Sequence, residues 1–328
     1  MTWRLTTFAA CLFFMNVNET VRACNVPVFR YALERWQSDN YELLVLHQRD
    51  LTLEEQQKVD KIRQATRPSG AALNLSVREC DLRTKMDRQL EGLTRGLVKQ
   101  KDPPLAVLLY SANSREVPDR IVTKMPLDDL NVESLIASPV RQEVAKQLLE
   151  GQSAVWIFVT SGNQIQDADA LRRLENQIEW NKANLKLPEQ DVLEADEFFD
   201  QENPIELKID FSIVKLDRDD PREDFLIAML MGSESDLVDL ANQPMAFPVI
   251  GRGRVLYALV GQGIYKDTIE MASKFVVGPC SCQVKDQNPG FDLLLNTDWD
   301  SKVSGKPLSR PSTGEKKAPV LIQIPSGK

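Results

Sequence analysis

The sequence predicts an α/β protein with two consecutive modules, each a four-stranded mixed sheet flanked by helices. The order strand, helix, strand, helix, strand, strand, helix is predicted over residues 41–151 and again over residues 154–278. The chain has 328 residues, of which 42% are hydrophobic and 27% charged. This length exceeds one typical domain of about 100–200 residues. We therefore expect module 1 over residues 24–151 and module 2 over residues 152–288.

In module 1, residues 27–36 predict a short helix with Pro27 at its first position. A buried strand follows over residues 41–47, and Thr52 and Glu55 form a capping box for a helix that continues to about residue 66. Residues 71–80 alternate as a strand, and Asp81 precedes a helix that ends near residue 98. Two further strands are predicted over residues 105–111 and 120–125, and Ser138-Pro139 begins the closing helix.

In module 2, a strand over residues 154–160 precedes a helix that we expect to begin at Asp167. Residues 185–206 are an acidic insertion, and a strand over residues 207–216 follows it. Asp220-Pro221 begins the next helix. Two strands, 246–250 and 255–260, then precede a last helix over residues 267–278. Residues 289–328, rich in Pro, Ser, Gly and Lys towards their end, predict a flexible C-terminal tail.

The N-terminus has the pattern of a secretory signal peptide over residues 1–23. Arg4 precedes the apolar run 8–15, and Val21 and Ala23 are the small residues before a cleavage site. We therefore expect an extracytoplasmic protein in the periplasm or envelope of a bacterium; a cytosolic protein with an apolar N-terminus is the alternative. Cys24 would follow the cleavage site, so a lipid anchor at Cys24 is a second, less favoured hypothesis.

The charge distribution argues against nucleic-acid binding, since the formal net charge is −8. Basic residues between 83 and 101 are interpreted as a solvated helix face. The apolar run 8–15 is far shorter than the ~20 residues that span a bilayer, so no transmembrane segment is predicted. A protein partner is the interaction that we expect.

Cysteines are the main candidates for a disulfide, redox or metal-binding role in this sequence. Without the signal peptide four remain, and a Cys24–Cys80 disulfide is one expectation for an exported chain. Cys280 and Cys282 are separated by one residue. They could form a strained redox pair, bind copper(I) or zinc as thiolates, be structural residues in a turn, or each bridge to Cys24 or Cys80. No other cofactor is predicted.

His47 is the only histidine of the chain, which excludes His-dependent triads and multi-histidine metal sites. In the predicted topology His47, Cys24 and Cys80 lie at one edge of the first sheet. Arg252 and Arg254 alternate with Gly251 and Gly253; they could bind an anion, but a hairpin turn between two strands is the favoured interpretation.

The duplicated order of elements resembles the thioredoxin fold in tandem. The family places a proline before its third strand, usually with a cis bond; Pro103-Pro104 and Pro244 or Pro248 agree with that position, and loop prolines are the equal alternative. The family's Cys-x-x-Cys is missing. The equivalent positions are His47-Gln-Arg-Asp50 and Ser161-Gly-Asn-Gln164.

The resemblance therefore implies a redox-silent scaffold. We expect an exported, non-enzymatic binding or scaffold protein. The alternative is a thiol–disulfide oxidoreductase or copper-handling protein that uses Cys280 and Cys282.

Overall fold

The computed structural model describes residues 26–66, 73–84, 88–94, 96–97, 102–188, 208–280 and 285–303. Predictions for the signal peptide, Cys24, Cys282, most of the acidic insertion and residues 304–328 lie outside these ranges. Within them, the α/β class with two mixed sheets flanked by helices is confirmed.

The first sheet has four strands in the order β2-β1-β3-β4. β1 is parallel to β2 and antiparallel to β3, and β3 is antiparallel to β4. The elements of this part of the chain are α1 (Val28–Arg35), β1 (Tyr41–His47), α2 (Leu53–Ala65), β2 (Leu75–Asp81), α3 (Arg88–Thr94), β3 (Leu105–Leu109), β4 (Ile121–Pro126), α4 (Val132–Ile136) and α5 (Pro139–Leu149).

The second sheet contains six strands, not the four that the sequence predicts. Its path is β10-β8-β7-β5-β6, and β9 also pairs with β7. The elements are β5 (Ala154–Val159), α6 (Gln164–Asn184), β6 (Phe211–Leu216), α7 (Asp224–Met231), β7 (Met245–Ile250), β8 (Arg254–Val255), β9 (Leu259–Val260), α8 (Lys266–Val277), β10 (Phe291–Asp292) and α9 (Trp299–Lys302). The inner order β6-β5-β7-β8 repeats the order and directions of the first sheet.

Local capping signals place several helices where the sequence predicts them. Thr52 Oγ1 accepts the Glu55 N–H, and the Glu55 carboxylate accepts the Thr52 N–H at 2.7 Å, which completes the capping box of α2. Ser138 caps α5, with Pro139 in the first turn. α6 begins at Gln164, earlier than predicted, because the Asn163 side chain accepts the N–H groups of its first turn.

One hydrophobic core joins the two sheets. Helices α2, α5 and α7 lie between the sheets and contribute buried side chains to the same cluster as the facing strands. Val59, Val144 and Phe225 represent the three helices in this cluster, and Leu43 and Ile157 represent the two sheets. The modules are therefore not two separately packed units, because one face of each sheet is buried in this shared core.

The position of α1 differs from the prediction. The sequence places residues 27–36 in module 1, but α1 packs on the outer face of the second sheet with α6 and α8. Gly251 makes this approach possible: its φ is +57°, and a Cβ there would lie 2.6 Å from the Ala32 Cβ. Only glycine fits both the conformation and the contact.

Residues 289–303 also differ from the prediction of a flexible tail beginning at residue 289. β10 pairs with β8, and Leu293, Leu294 and Leu295 are buried in the shared core. Asn74 of the first module donates to Leu293 O at 3.0 Å and accepts the Leu295 N–H at 2.7 Å. We call residues 289–303 the C-terminal strap, since they connect the second sheet to the first module.

The predicted hairpin over residues 246–260 is only partly regular. Ile250 pairs with Arg254, so Gly251-Arg-Gly253 is a hairpin turn, as the sequence favours. The strand predicted over residues 255–260 is instead two short strands, β8 and β9, separated by residues 256–258.

Candidate functional site

An open groove of about 440 Å³ lies at the carboxyl end of β5. One wall is the first turns of α6; the other comes from the chain before β7 and after β9. Its lining residues are Ile165, Gln166, Asp169, Arg173, Asn242, Gln243, Pro244, Gly261 and Gln262. The groove thus lies beside Ser161-Gly-Asn-Gln164, one of the two places where the family resemblance would put a redox pair. We call it the amide groove, because four of its nine lining residues are carboxamides.

Side chains of the loop after β5 hold the first turn of α6 in place. The Asp167 carboxylate accepts the Ser161 N–H at 2.8 Å and the Ser161 hydroxyl at 2.6 Å. Asn163 Oδ1 accepts the N–H groups of Ile165 and Gln166, both at 3.2 Å. The Ser161 hydroxyl is therefore engaged with a carboxylate in the loop, and no imidazole is available to activate it.

Gln243, Pro244 and Gly261 shape the opposite wall. The Gly261 N–H donates to Pro244 O at 2.8 Å. Gly261 has a φ of +53°, and a Cβ there would lie 2.0 Å from Gln243 Oε1. The Gln243 carboxamide therefore packs directly over the glycine backbone. All described peptide bonds are trans, including the bond before Pro244, which departs from the cis proline usual in the resembled family.

The charged residues of the groove are already paired. Asp169 and Arg173 form an ion pair one helical turn apart. Arg173 also donates from Nε to Ile264 O at 2.8 Å and from Nη2 to Gly261 O at 3.1 Å. Behind Gln243, Arg218 donates to Gln243 O at 3.3 Å; burial lowers the pKa of Arg218, and Asp167 partly opposes that effect.

His47 and Cys80 lie at the same edge of the first sheet but on opposite faces. In the parallel register His47 lies opposite Asp81, whereas Cys80 lies opposite Leu46. Successive side chains of a strand point to opposite faces, so Cys80 packs in the cluster around α3 while His47 is on the α2 face. His47 and Cys80 thus end neighbouring strands at one edge of the first sheet, with their side chains on opposite faces; Cys24 lies outside the described residues.

His47 lies in a network of charged side chains. Its Nδ1 is 2.7 Å from Arg49 O, and its Nε2 is 3.5 Å from the Glu79 carboxylate. Nearby, Arg49 makes a two-pronged contact with the buried Glu55, and this hydrogen bonding lowers the Glu55 pKa to about 2. Arg83 hydrogen-bonds Asp81 and similarly lowers its pKa to about 2. These contacts join the loop after β1 to α2 and β2.

Arg252 and Arg254 are internal braces and not an open anion site. Arg252 donates to Leu33 O at 2.8 Å and pairs with Asp300 at 2.6 Å. Arg254 donates to the backbone near residue 289, pairs with the buried Asp292 at 3.3 Å and lies over the Trp36 ring. Both guanidiniums are buried, so they hold α1 and the C-terminal strap against the hairpin.

Cys280 is buried at the end of the outer core of the second sheet, and its N–H donates to Val26 O at 2.9 Å. Its predicted partner Cys282 lies outside the described residues. Within the described ranges, no three His, Cys, Asp or Glu side chains are grouped to hold a metal ion. The same residues contain no helix with the length and apolarity to cross a membrane.

The amide groove was not predicted from the sequence. Only Pro244 was singled out there, through the family resemblance. Its walls come from residues about 80 positions apart, and its carboxamides have no pattern that distinguishes them from a solvated surface. No protein-family model matches this chain, and no curated protein or solved structure is significantly similar to it.

Proposed function

We propose that this chain is an exported, non-enzymatic binding or scaffold protein of a bacterial envelope, built on two thioredoxin-like modules. The repeated strand order supports the thioredoxin-like assignment. In both sheets the first two strands of the module are parallel. The third strand pairs antiparallel with the first on its other side, and the fourth pairs antiparallel with the third.

The amide groove carries the proposal. It lies at the edge where thioredoxins carry out their chemistry, but the described residues that line it include no cysteine, histidine or hydroxyl side chain. A catalytic site needs a nucleophile or a group that can move a proton, positioned near its substrate. Asp169, the proton-transfer group among the described lining residues, is held in an ion pair with Arg173, so this polar groove supports binding more than catalysis.

A thiol–disulfide or copper-handling function through Cys280 and Cys282 is the alternative proposal. The burial of Cys280 is an argument against it, since reactive thiols are accessible and lie in electropositive surroundings. The alternative nevertheless makes a different experimental prediction, so one set of measurements separates the two.

The test uses the mature full-length protein in a disulfide-exchange assay, with insulin as substrate and dithiothreitol as reductant, together with a copper(I) competition titration. We expect insulin reduction at the uncatalysed rate and no copper binding that depends on cysteine. Turnover that disappears in a Cys280→Ser/Cys282→Ser variant would overturn the binding proposal, as would stoichiometric copper(I) binding by that pair. Mass spectrometry of the mature N-terminus tests export separately: cleavage after Ala23 is expected.

A further inference from the structure

We propose that the amide groove binds a neutral saccharide through its carboxamide side chains. The inference rests on the proposed binding function and names the ligand chemistry of the same groove. Its volume of about 440 Å³ is within the usual range for small-ligand sites, about 300–1,000 Å³.

The carboxamides of the groove have hydrogen-bonding capacity to spare. The side chains of Gln166, Asn242, Gln243 and Gln262 make no hydrogen bond to another residue in the described part of the chain. By contrast, the Gln177 side chain of the same helix α6 donates to Asn181, which donates to Ser273. Each free carboxamide provides two donors and one acceptor oxygen. A ligand in the groove therefore contacts both hydrogen-bond donors and hydrogen-bond acceptors.

The groove lacks the features that select an anion. Arg173 is paired with Asp169 and bonded to two backbone carbonyls. The Nε and Nη1 atoms of Arg218 have no hydrogen-bond partner, but both are buried, so a ligand in the groove does not reach them. The Asn163 side chain occupies N–H groups at the start of α6. Among the described residues that line the groove, a phosphate or carboxylate would find no unpaired cation.

The main-chain groups at the centre of the groove wall are already hydrogen-bonded within the protein. The Gln243 N–H donates to Leu240 O at 3.0 Å, and Gln243 O accepts from Arg218. Pro244 has no N–H, and its carbonyl accepts the Gly261 N–H. Strand addition depends on free main-chain groups. An extended peptide would therefore find the main-chain groups of Gln243, Pro244 and Gly261 already engaged.

The remaining apolar surface is small. Ile165 is 83% exposed at the mouth of the groove, and it is the one large apolar side chain in the lining besides Pro244. This apolar surface is smaller than a protein interface needs, because buried aromatic or arginine side chains supply most of the binding energy of such interfaces. One exposed aliphatic side chain beside several carboxamides suits an uncharged ring with hydroxyl groups, because each hydroxyl both donates and accepts.

The experiment follows the side-chain NH2 and backbone amide signals of the full-length protein by NMR. Maltotriose, mannotriose and triacetylchitotriose are each added to about 20 mM, since a shallow site of this kind supports only weak, about millimolar, binding. We expect at least one trisaccharide to shift the carboxamide signals of the groove. The affinity should not change between about 0.05 and 0.5 M NaCl, because no net charge is engaged.

Variants test the assignment to the groove. Gln243→Ala and Gln262→Ala should each weaken binding about 2- to 12-fold, which corresponds to one lost hydrogen bond. Asn176→Ala, on an exposed part of α6 outside the groove, is the matched control and should leave the affinity unchanged. Thermal unfolding of each variant verifies that it is folded.

The saccharide inference is overturned if none of the three trisaccharides shifts the groove signals, or if Asn176→Ala weakens binding as much as the groove variants. Binding of an uncharged peptide in place of a saccharide would overturn it as well. These outcomes leave the non-enzymatic binding function in place; only the disulfide-exchange and copper measurements test that function.

Discussion

Replacing Arg141 with methionine should be among the most destabilising single changes in this fold. Arg141 is fully buried in the first turns of α5, and burial lowers its pKa to about 10. Its guanidinium donates to Leu294 O of the C-terminal strap at 2.7 Å and to Leu135 O at 3.1 Å, and it also bonds Ser134 O. One side chain therefore joins α4, α5 and the strap.

The expected loss of unfolding free energy follows from the buried groups that Arg141→Met leaves without a partner. Methionine fills much of the volume but donates no hydrogen bond, so three buried carbonyls lose their side-chain donor. A buried polar group left unpaired costs about 1–3 kcal/mol. The nearby carboxylate of Glu223, also buried, loses the positive charge that opposes its own. Allowing for relaxation, we expect Arg141→Met to lower the free energy of unfolding by about 3–6 kcal/mol.

Urea unfolding followed by tryptophan fluorescence measures this loss. Arg222→Met is the matched control: its side chain is 69% exposed and pairs with Asp220, so a change of about 0.5 kcal/mol or less is expected. The double variant Arg141→Met/Glu223→Gln should recover only part of the loss, since the carbonyls remain unpaired. A loss below about 1 kcal/mol for Arg141→Met would refute the idea that this arginine connects the strap to the first module.

Three further outcomes are expected. Gly251→Ala should destabilise by more than Gly162→Ala in chemical denaturation; both have positive φ, which costs about 1–2 kcal/mol, but only the Gly251 site also clashes with α1. Equal losses would contradict the close approach. Because the Glu55 pKa falls from 4.5 to about 2 on folding, its stabilisation is present above pH 4.5 and lost as the pH falls towards 2, so the stability advantage over Glu55→Gln should shrink across that window. A constant difference would argue against the Arg49 contact. Deleting residues 304–328 should leave the melting temperature unchanged, whereas deleting residues 289–328 should prevent cooperative unfolding, because the strap buries three leucines; retained cooperativity would count against this.

Structural features that depend only on neighbouring residues were predictable from the sequence. The capping box of α2 and the Ser138-Pro139 start of α5 each depend on residues within one helical turn. The hairpin at Gly251-Arg-Gly253 depends on glycines that accept positive φ. Continuous apolar runs predict the buried strands β1 and β5, and the repeated order of elements follows from these local signals.

Features that depend on distant residues were missed or wrong. His47 and Cys80 were predicted to lie at one edge of the first sheet, where they do end neighbouring strands, but a single step in register puts their side chains on opposite faces. The residues 256–258 that interrupt the last hairpin have no sequence signal to separate them from a strand. The amide groove combines α6 with a segment about 80 residues later, so its carboxamides are indistinguishable from ordinary surface residues until the chain is folded.

Periodicity, caps and residue identity are local properties, so the sequence alone predicts the α/β class, the duplicated strand order and the absence of a Cys-x-x-Cys at the loops after β1 and β5. The tertiary structure decided that α1 packs on the second module, that the C-terminal strap joins the two modules and that Arg252 and Arg254 are internal braces. These facts rest on contacts such as Asn74 to Leu293, 219 residues apart. Such contacts are selected by the packing of the whole core, and no short stretch of sequence specifies them.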